Sequence, residues 1–299
     1  MAFRAGFVSI LGRPNAGKST LLNALAGEKL AIVARKPQTT RTTIQGVVNL
    51  PDAQIVFLDT PGIHKSDNMF NKRMMDTIRG AVDDRDLVLY LADSTHRPTT
   101  EDEEAISVMK RTDAPAFLVL TKIDRLESVS KVLDRIEQYK ALHEFAEYIP
   151  ISAVKADGLD QLTKAIVARL PEGEPFFPPD YITDQPEKFM LAELIREKIL
   201  KFTQQEVPHS VAVLVEKWEE TPKITRVHAT IFVERDGQKR IIIGTGGAML
   251  KRIGTDSRLE AEDRLQKKIF LQLFVKVRAN WREDPQFLNE IDWHSMAGL

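Results

Sequence analysis

A largely parallel α/β sheet with helices on both faces, followed by a smaller α+β domain, is the fold the sequence predicts. Three observations carry that expectation. Residues 1–173 alternate short apolar runs with helical patterns, residues 174–187 continue a stretch rich in Pro and Gly, and residues 188–285 follow a different rhythm. At 299 residues and 43% apolar content, the chain can fill two globular cores.

The apolar runs are Phe7–Leu11, Gln54–Leu58, Leu87–Leu91, Ala116–Leu120 and Tyr148–Ile151. They hold almost no charged residue, as strands covered on both faces require. Each ends in a polar cluster, where ligands sit in open α/β sheets. The first run reads as a buried strand and not as a signal peptide, because no cationic segment precedes it and no small-residue cleavage site follows. No stretch reaches the ~18–20 apolar residues of a membrane span. From Pro171 to Pro186 the chain reads PEGEPFFPPDYITDQP, through which no helix continues; this is the expected linker.

In the second half, Asp184 and Glu187 suggest a capping box opening a helix to about Gln204. Strands are expected from Val211 to Trp218, from Thr225 to Val233 and from Ile269 to about Val277. Between the last two, a helical segment ending at Ile243 and a Gly-rich turn lead into a further helix, where Ser257 and Glu260 suggest a second capping box. The order is α-β-β-α-α-β, with residues 286–299 as a tail.

Net charge is −1 overall, but residues 188–299 carry +3 against −4 for the remainder. That asymmetry supports, without proving, a nucleic-acid partner for the second half. The chain has no cysteine, which excludes disulfides and thiolate metal sites.

Gly12-Arg13-Pro14-Asn15-Ala16-Gly17-Lys18-Ser19 follows the first strand and opens a helical pattern. It fits G-x-x-x-x-G-K-[ST], the loop of a P-loop NTPase. Such a loop turns backbone N–H groups around phosphates, with Lys18 at the β/γ-phosphates and Ser19 at Mg²⁺. Asp59-Thr60-Pro61-Gly62 ends the second run. Asp59 can hold Mg²⁺, and the Gly62 amide can meet a γ-phosphate. Thr40, in Gln38-Thr39-Thr40-Arg41, can reach that Mg²⁺ only while the γ-phosphate is present, which makes a switch. Thr121-Lys122-Ile123-Asp124 ends the fourth run, and its carboxylate can accept from guanine N1–H and the exocyclic amine, donors that adenine lacks. Ser152-Ala153 ends the fifth and can offer a backbone N–H to guanine O6.

With these motifs, RKPQTTR and DTPGIH (residues 35–41 and 59–64) resemble the Era family among the translation-factor-related GTPases, over essentially the whole chain. The resemblance implies GTP/GDP and Mg²⁺ contacts at residues 12–19 and the following Thr20, at Thr40, at Asp59 to Gly62 with Ile63, at Thr121 to Asp124, and at Ser152-Ala153. Lys18, Thr40 and Gly62 would serve hydrolysis. Two departures matter. Thr121 stands where the family usually has Asn, and Ile63 stands where Ras-like switches place a water-orienting Gln. Ile63 cannot orient water, so electrostatics elsewhere must drive hydrolysis. Related GTPases with Asn at position 15 bind K⁺ there. Asn15 is therefore a candidate K⁺ ligand, the alternative being a loop-stabilising Asn. His64 is a weaker candidate, as a general base.

Gly244-Thr245-Gly246-Gly247 is a G-x-x-G between two helical segments, flanked by Lys239, Arg240, Lys251 and Arg252. Such a loop lets backbone approach a phosphodiester chain. Ile241 to Ile243 and Ile253 are expected to floor a groove beside it. The alternative is a solvated charged face around a structural turn. Loop, flanks and element order together resemble a type II KH domain, although Thr245 and Gly246 are neutral where KH loops commonly carry a base. Trp218, Trp281 and Trp293 lie apart from this loop and are expected to pack, not to stack bases.

The resemblance implies a monomeric cytoplasmic assembly factor of the small ribosomal subunit. It would bind single-stranded RNA, 16S rRNA near its 3′ end, with weak peripheral contact to the inner face of the membrane. No amphipathic cationic helix demands that last contact. A P-loop kinase would share residues 12–19 but has no use for Thr121 to Asp124. An RNA-binding adaptor that uses nucleotide only structurally would not need Lys18.

Overall fold

The computed structural model describes residues 2–34, 36, 39–62, 68–203, 207 and 210–292. The chain divides into two units, one of 1–67 and 71–184, the other of 68–70 and 185–299.

In the first unit six strands lie in the order β2-β3-β1-β4-β5-β6. They are β1 (Arg4–Leu11), β2 (Ile44–Asn49), β3 (Ala53–Asp59), β4 (Leu87–Asp93), β5 (Ala116–Thr121) and β6 (Glu147–Pro150). All neighbours are parallel except β2 and β3. The five expected strands are present, and β2 is an addition. Its signal is broken by Gly46, where a Cβ would come within 2.8 Å of Leu22 and Leu30 side-chain atoms, so only glycine admits the helix packed there.

Helices α1 (Lys18–Ala26) and α5 (Leu159–Arg169) bring Leu21, Leu22, Leu162 and Ile166 to one core. Helices α2 (Met69–Gly80), α3 (Thr100–Met109) and α4 (Val129–Lys140) bring Ile78, Ile106 and Tyr139 to the other. Every residue of β3, β4 and β5 is buried. That coverage explains the uncharged runs, and truncating a side chain such as Leu89 to Ala costs about 2–5 kcal/mol. β1 lies between β3 and β4, with α1 and α2 on opposite faces. The crevice at its carboxyl end is the switch point at which such sheets bind ligands.

The Pro-rich stretch is fixed along the first unit. Val47 N–H donates to Ile182 O at 2.7 Å, and Gln54 Oε1 accepts from the amides of Phe176 and Phe177 at 2.7 and 3.0 Å. It thereby covers the otherwise open edge of β2.

The second unit realises the order α-β-β-α-α-β. Helix α6 (Glu187–Phe202) precedes β7 (Ala212–Glu220) and β8 (Thr225–Val233); then come α7 (Asp236–Ile243), α8 (Ala248–Leu265) and β9 (Ile269–Val277). β7 and β8 pair antiparallel, whereas β8 and β9 pair parallel, a connection that needs the α7–α8 crossover. Three expectations are corrected. The N-cap of α6 is Pro186, not Asp184. Ser257 and Glu260 lie inside α8, where no free amides need capping. The start of the expected tail lies in helix α9 (Pro285–Ile291), with Phe287 and Leu288 buried. Trp281 is fully buried and donates through Nε1 to Ser210 O at 3.0 Å, a core role as expected.

Candidate functional site

The loop from Gly12 to Gly17 leaves β1 and enters α1 through backbone that few residues adopt. Gly12 has φ 145°, and a Cβ there would stand 2.4 Å from Leu91 O; Gly17 has φ 100° and Asn15 φ 62°. Lys18 is buried beneath the loop, with Nζ donating to Gly12 O at 2.9 Å and Arg13 O at 3.0 Å. Burial lowers its pKa to about 8 against the pull of Asp59, so the ammonium remains charged at neutral pH.

Asp59 at the end of β3 is completely buried. Its Oδ2 accepts from Ser19 Oγ at 2.7 Å, and Ser19 Oγ shares a further 2.7 Å hydrogen bond with Thr40 Oγ1. Burial raises the Asp59 pKa to about 6, opposed by Lys18 and by the hydroxyls of Ser19 and Thr40. Asp59 Oδ1 is buried with no hydrogen-bond partner. An orphaned carboxylate oxygen is costly, and beside two hydroxyl oxygens it is the donor set of a small hard cation. The residues fit Mg²⁺.

Thr60 Oγ1 donates to Ile10 O at 2.7 Å, tying this turn to β1. Gly62 lies against the phosphate loop so closely that a Cβ would stand 2.7 Å from Pro14 Cα. Ile63 and His64 lie outside the described residues.

At the other end, Thr121 is buried, and its Oγ1 lies 2.6 Å from Ala16 O and 3.2 Å from Ala92 O. Standing where the family usually has Asn, this Thr thus ties the base-binding loop to the phosphate loop. Lys122, at φ 60°, donates through Nζ to Asn15 O and to Asp93 Oδ2, both at 2.6 Å. Burial opposes ionisation of Asp93, but hydrogen bonds from Lys122 and Thr95 hold its pKa below the usual range. Ser152 Oγ donates to Asp124 Oδ1 at 2.6 Å, and the Ser152 amide donates to Asp157 O. Asp124 is exposed. Its burial has to come with the base that covers it.

A cavity of about 740 Å³ joins the two ends. Pro14, Asn15, Gly17, Lys18, Ser19, Thr20, Thr40 and Gly62 line one part of it, and Thr121, Lys122, Asp124 and Ala153 the other. Gly12, Arg13, Ala16, Asp59, Thr60, Pro61, Ile123 and Ser152 stand behind this lining. Asp93, which lines the cavity and accepts from Lys122, is a site residue that the motifs do not name, although it too ends an apolar run.

In the second unit, Gly244, Gly246 and Gly247 have φ of 70°, 58° and 80°, and nothing lies within 4 Å of a Cβ built at the last two. The loop surface is open. Helix α8 starts at Gly247 without a side-chain cap, which leaves its first amides for an anion. Lys239, Arg240 and Lys251 make no ion pair among the described residues, while Arg252 stacks over the Phe202 ring at 4.0 Å. The expected groove floor is corrected. Ile242 and Ile253 are fully buried core residues, and Ile241 alone of the four is strongly exposed, at 50%.

Comparisons agree with both halves. A family model described as a 50S ribosome-binding GTPase matches residues 7–122, and a KH domain model matches 206–282. The GTPase Era of Geobacter metallireducens is 49% identical over 97% of this chain and 98% of its own length; that of Heliobacterium modesticaldum is 47% identical over 95% of each. An Aquifex aeolicus Era variant bound to GDP·AlF4⁻ superposes with TM-score 0.94 at 39% identity, covering 97% of this chain and 99% of that one. The same values describe an Era structure in complex with MgGDPNP and nucleotides 1506–1542 of 16S ribosomal RNA. On full-length identity and a shared two-domain order, the chain belongs to the Era family of GTPases.

Proposed function

We propose that the first unit hydrolyses GTP to GDP and phosphate with Mg²⁺, and that the second binds single-stranded 16S rRNA near its 3′ end during assembly of the small ribosomal subunit. One observation carries the nucleotide reading. A single cavity is lined at one end by buried Lys18 and by Ser19 and Thr40, with Asp59 bonded to Ser19 behind them, and at the other end by Asp124. Calorimetry with GDP, GTP and ATP in Mg²⁺ tests it: heat from the guanine nucleotides only supports it, and equal heat from ATP refutes it in favour of the kinase.

Ser19, Thr40 and Asp59 would hold Mg²⁺, which when bound neutralises charge on the β- and γ-phosphates. Lys18 places its ammonium at the same phosphates, and the Gly62 amide meets the γ-phosphate. Backbone amides of residues 12–20, continuing into α1, cradle the rest. Asp124 accepts from guanine, and Ala153, which lines the cavity, presents its amide to O6. Catalysis here is positioning and charge stabilisation, not side-chain proton transfer. Asn15 contributes a K⁺ site beside the phosphates in this reading; turnover in KCl exceeding that in NaCl is expected, and equal rates remove the K⁺ role.

For RNA, the open G-x-x-G and the cations beside it, which make no ion pair among the described residues, support backbone capture, with Arg252 held ready by Phe202. The Era structure bound to nucleotides 1506–1542 supports the choice of rRNA segment. No described helix is long and apolar enough to cross a membrane. We place the protein in the cytoplasm as a monomer. Peripheral membrane contact is tested by sedimentation with anionic vesicles.

A further inference from the structure

Arg13 belongs to the phosphate loop, yet its side chain does not line the cavity. Its guanidinium faces the other way, with Nε 3.9 Å from Asp102 Oδ2, at 13% and 0% side-chain exposure. Asp102 is the third residue of α3, in an acidic run that reads as a solvated helix start. A helix cap explains part of its placement, because Oδ2 accepts from the Thr99 amide at 2.9 Å. Capping needs neither full burial nor further donors. Here Oδ1 also accepts from Tyr90 Oη at 2.8 Å and Tyr139 Oη at 3.0 Å, hydroxyls supplied by β4 and α4. Burial and the adjacent carboxylate push both phenols above their ordinary pKa, so each stays a donor. Three elements of the sheet domain thus converge on one carboxylate, and the cation it faces is Arg13.

The backbone beside that cation carries two groups of the site. Gly12 O and Arg13 O are the acceptors that hold Lys18 Nζ, and Pro14 is the surface on which Gly62 rests. We infer that Asp102, acting through Arg13, is a positioning residue for GTP hydrolysis that fixes residues 12–14 and with them Lys18 and Gly62. Gly62 addresses the γ-phosphate alone and Lys18 the β- and γ-phosphates, whereas Gly17 and Asp124 serve GDP and GTP equally. Loosening this anchor should therefore hurt GTP more than GDP. Misplacement of a catalytic group by about 1 Å can cost roughly 10²-fold in rate.

The inference rests on the hydrolysis proposed above, and its test separates the two. Arg13→Gln, Asp102→Asn and the double variant are made in the full chain. Asn retains a carbonyl for the cap but loses the charge. GDP affinity, affinity for a non-hydrolysable GTP analogue, GTP turnover and Tm are measured. Each single variant should lower kcat/KM for GTP by roughly tenfold to 10²-fold, with GDP affinity changed less than about threefold. The double variant should be no worse than the worse single, because both break one connection. Losses that multiply, equal losses for GDP and the GTP analogue, or unchanged turnover overturn the inference. Should Asp102→Asn unfold, Tyr139→Phe replaces it, expected to lower turnover in the native background and to do nothing further beside Arg13→Gln; an equal loss in both backgrounds overturns it. A wild-type protein that fails to bind GTP defeats the proposed function instead.

Discussion

The two binding regions are built on opposite plans. The nucleotide site is made of side chains already bonded to one another: Lys18 to two carbonyls, Ser19 to Asp59 and Thr40, Thr121 to Ala16 O, Ser152 to Asp124. The G-x-x-G region has two glycines, Gly246 and Gly247, with nothing around them, and beside them Lys239, Arg240 and Lys251, which make no ion pair among the described residues. A small ligand must be enclosed and distinguished atom by atom, which calls for a fixed cavity. A polymer backbone presents the same charge at every step, so an open surface suffices and affinity comes from counterion release. The comparison predicts that loss of one side chain is severe in the first region and graded in the second.

Lys18→Ala is the harshest test of that contrast. It should lower GTP turnover by about 10²–10³-fold, the loss expected for one pre-organised charge donor, while nucleotide-free RNA binding stays within about twofold. RNA-dependent function that survived in this variant would support the adaptor reading. Asp124→Asn comes next. An amide cannot accept from both guanine donors, so GTP affinity should fall by about 10²-fold and xanthosine triphosphate, with its carbonyl in place of the amine, should bind better than to the native protein. Competition binding reads both.

Most of this architecture was legible because its chemistry stands at the ends of apolar runs. Asp59 and Thr121 close strands buried on both faces and Asp124 follows one, and that coverage writes itself as uncharged sequence. Edge strand β2 escaped because Gly46 and the polar positions around it interrupt the pattern. Asp93 and Asp102 escaped for a different reason. Their partners Lys122 and Arg13 are 29 and 89 residues away, and only the strand order brings them together. The same holds for Arg252 on Phe202. Ile242 and Ile253 were misassigned because an apolar residue beside a Gly-rich loop looks alike whether it points to a groove or to the core.

A graded response is expected where the surface is open. Replacing Lys251 and Arg252 together by Ala should weaken RNA binding at low salt and flatten the dependence of log K on log salt by about one to two charges. An unchanged slope in filter binding would remove both from the interface. The two need not contribute equally. Arg252 loses its stacking contact as well as its charge, so Arg252→Lys, which keeps the charge, should recover only part of the loss.

The smallest effect is expected at Thr121, and it bears on how much of the fixed plan is spare. A hydroxyl has one proton to give, and the 2.6 Å contact to Ala16 O takes it in preference to the 3.2 Å contact to Ala92 O. The bond ties the base-binding loop to the phosphate loop from behind the cavity. Lys122 makes a second tie to the same loop, through Asn15 O and Asp93. Thr121→Ala should therefore cost only about 1 kcal/mol, the net worth of one neutral hydrogen bond, seen as roughly fivefold faster GDP release. Thr121→Asn should release GDP more slowly than the Ala variant, because its amide can donate to Ala16 O and keep a second donor. Adding Asp93→Asn to Thr121→Ala should do more than the two losses combined, since the second tie is then weakened as the first is lost. Independent, additive losses would mean that the two loops are held apart from each other by their own strands, and that the ties are incidental.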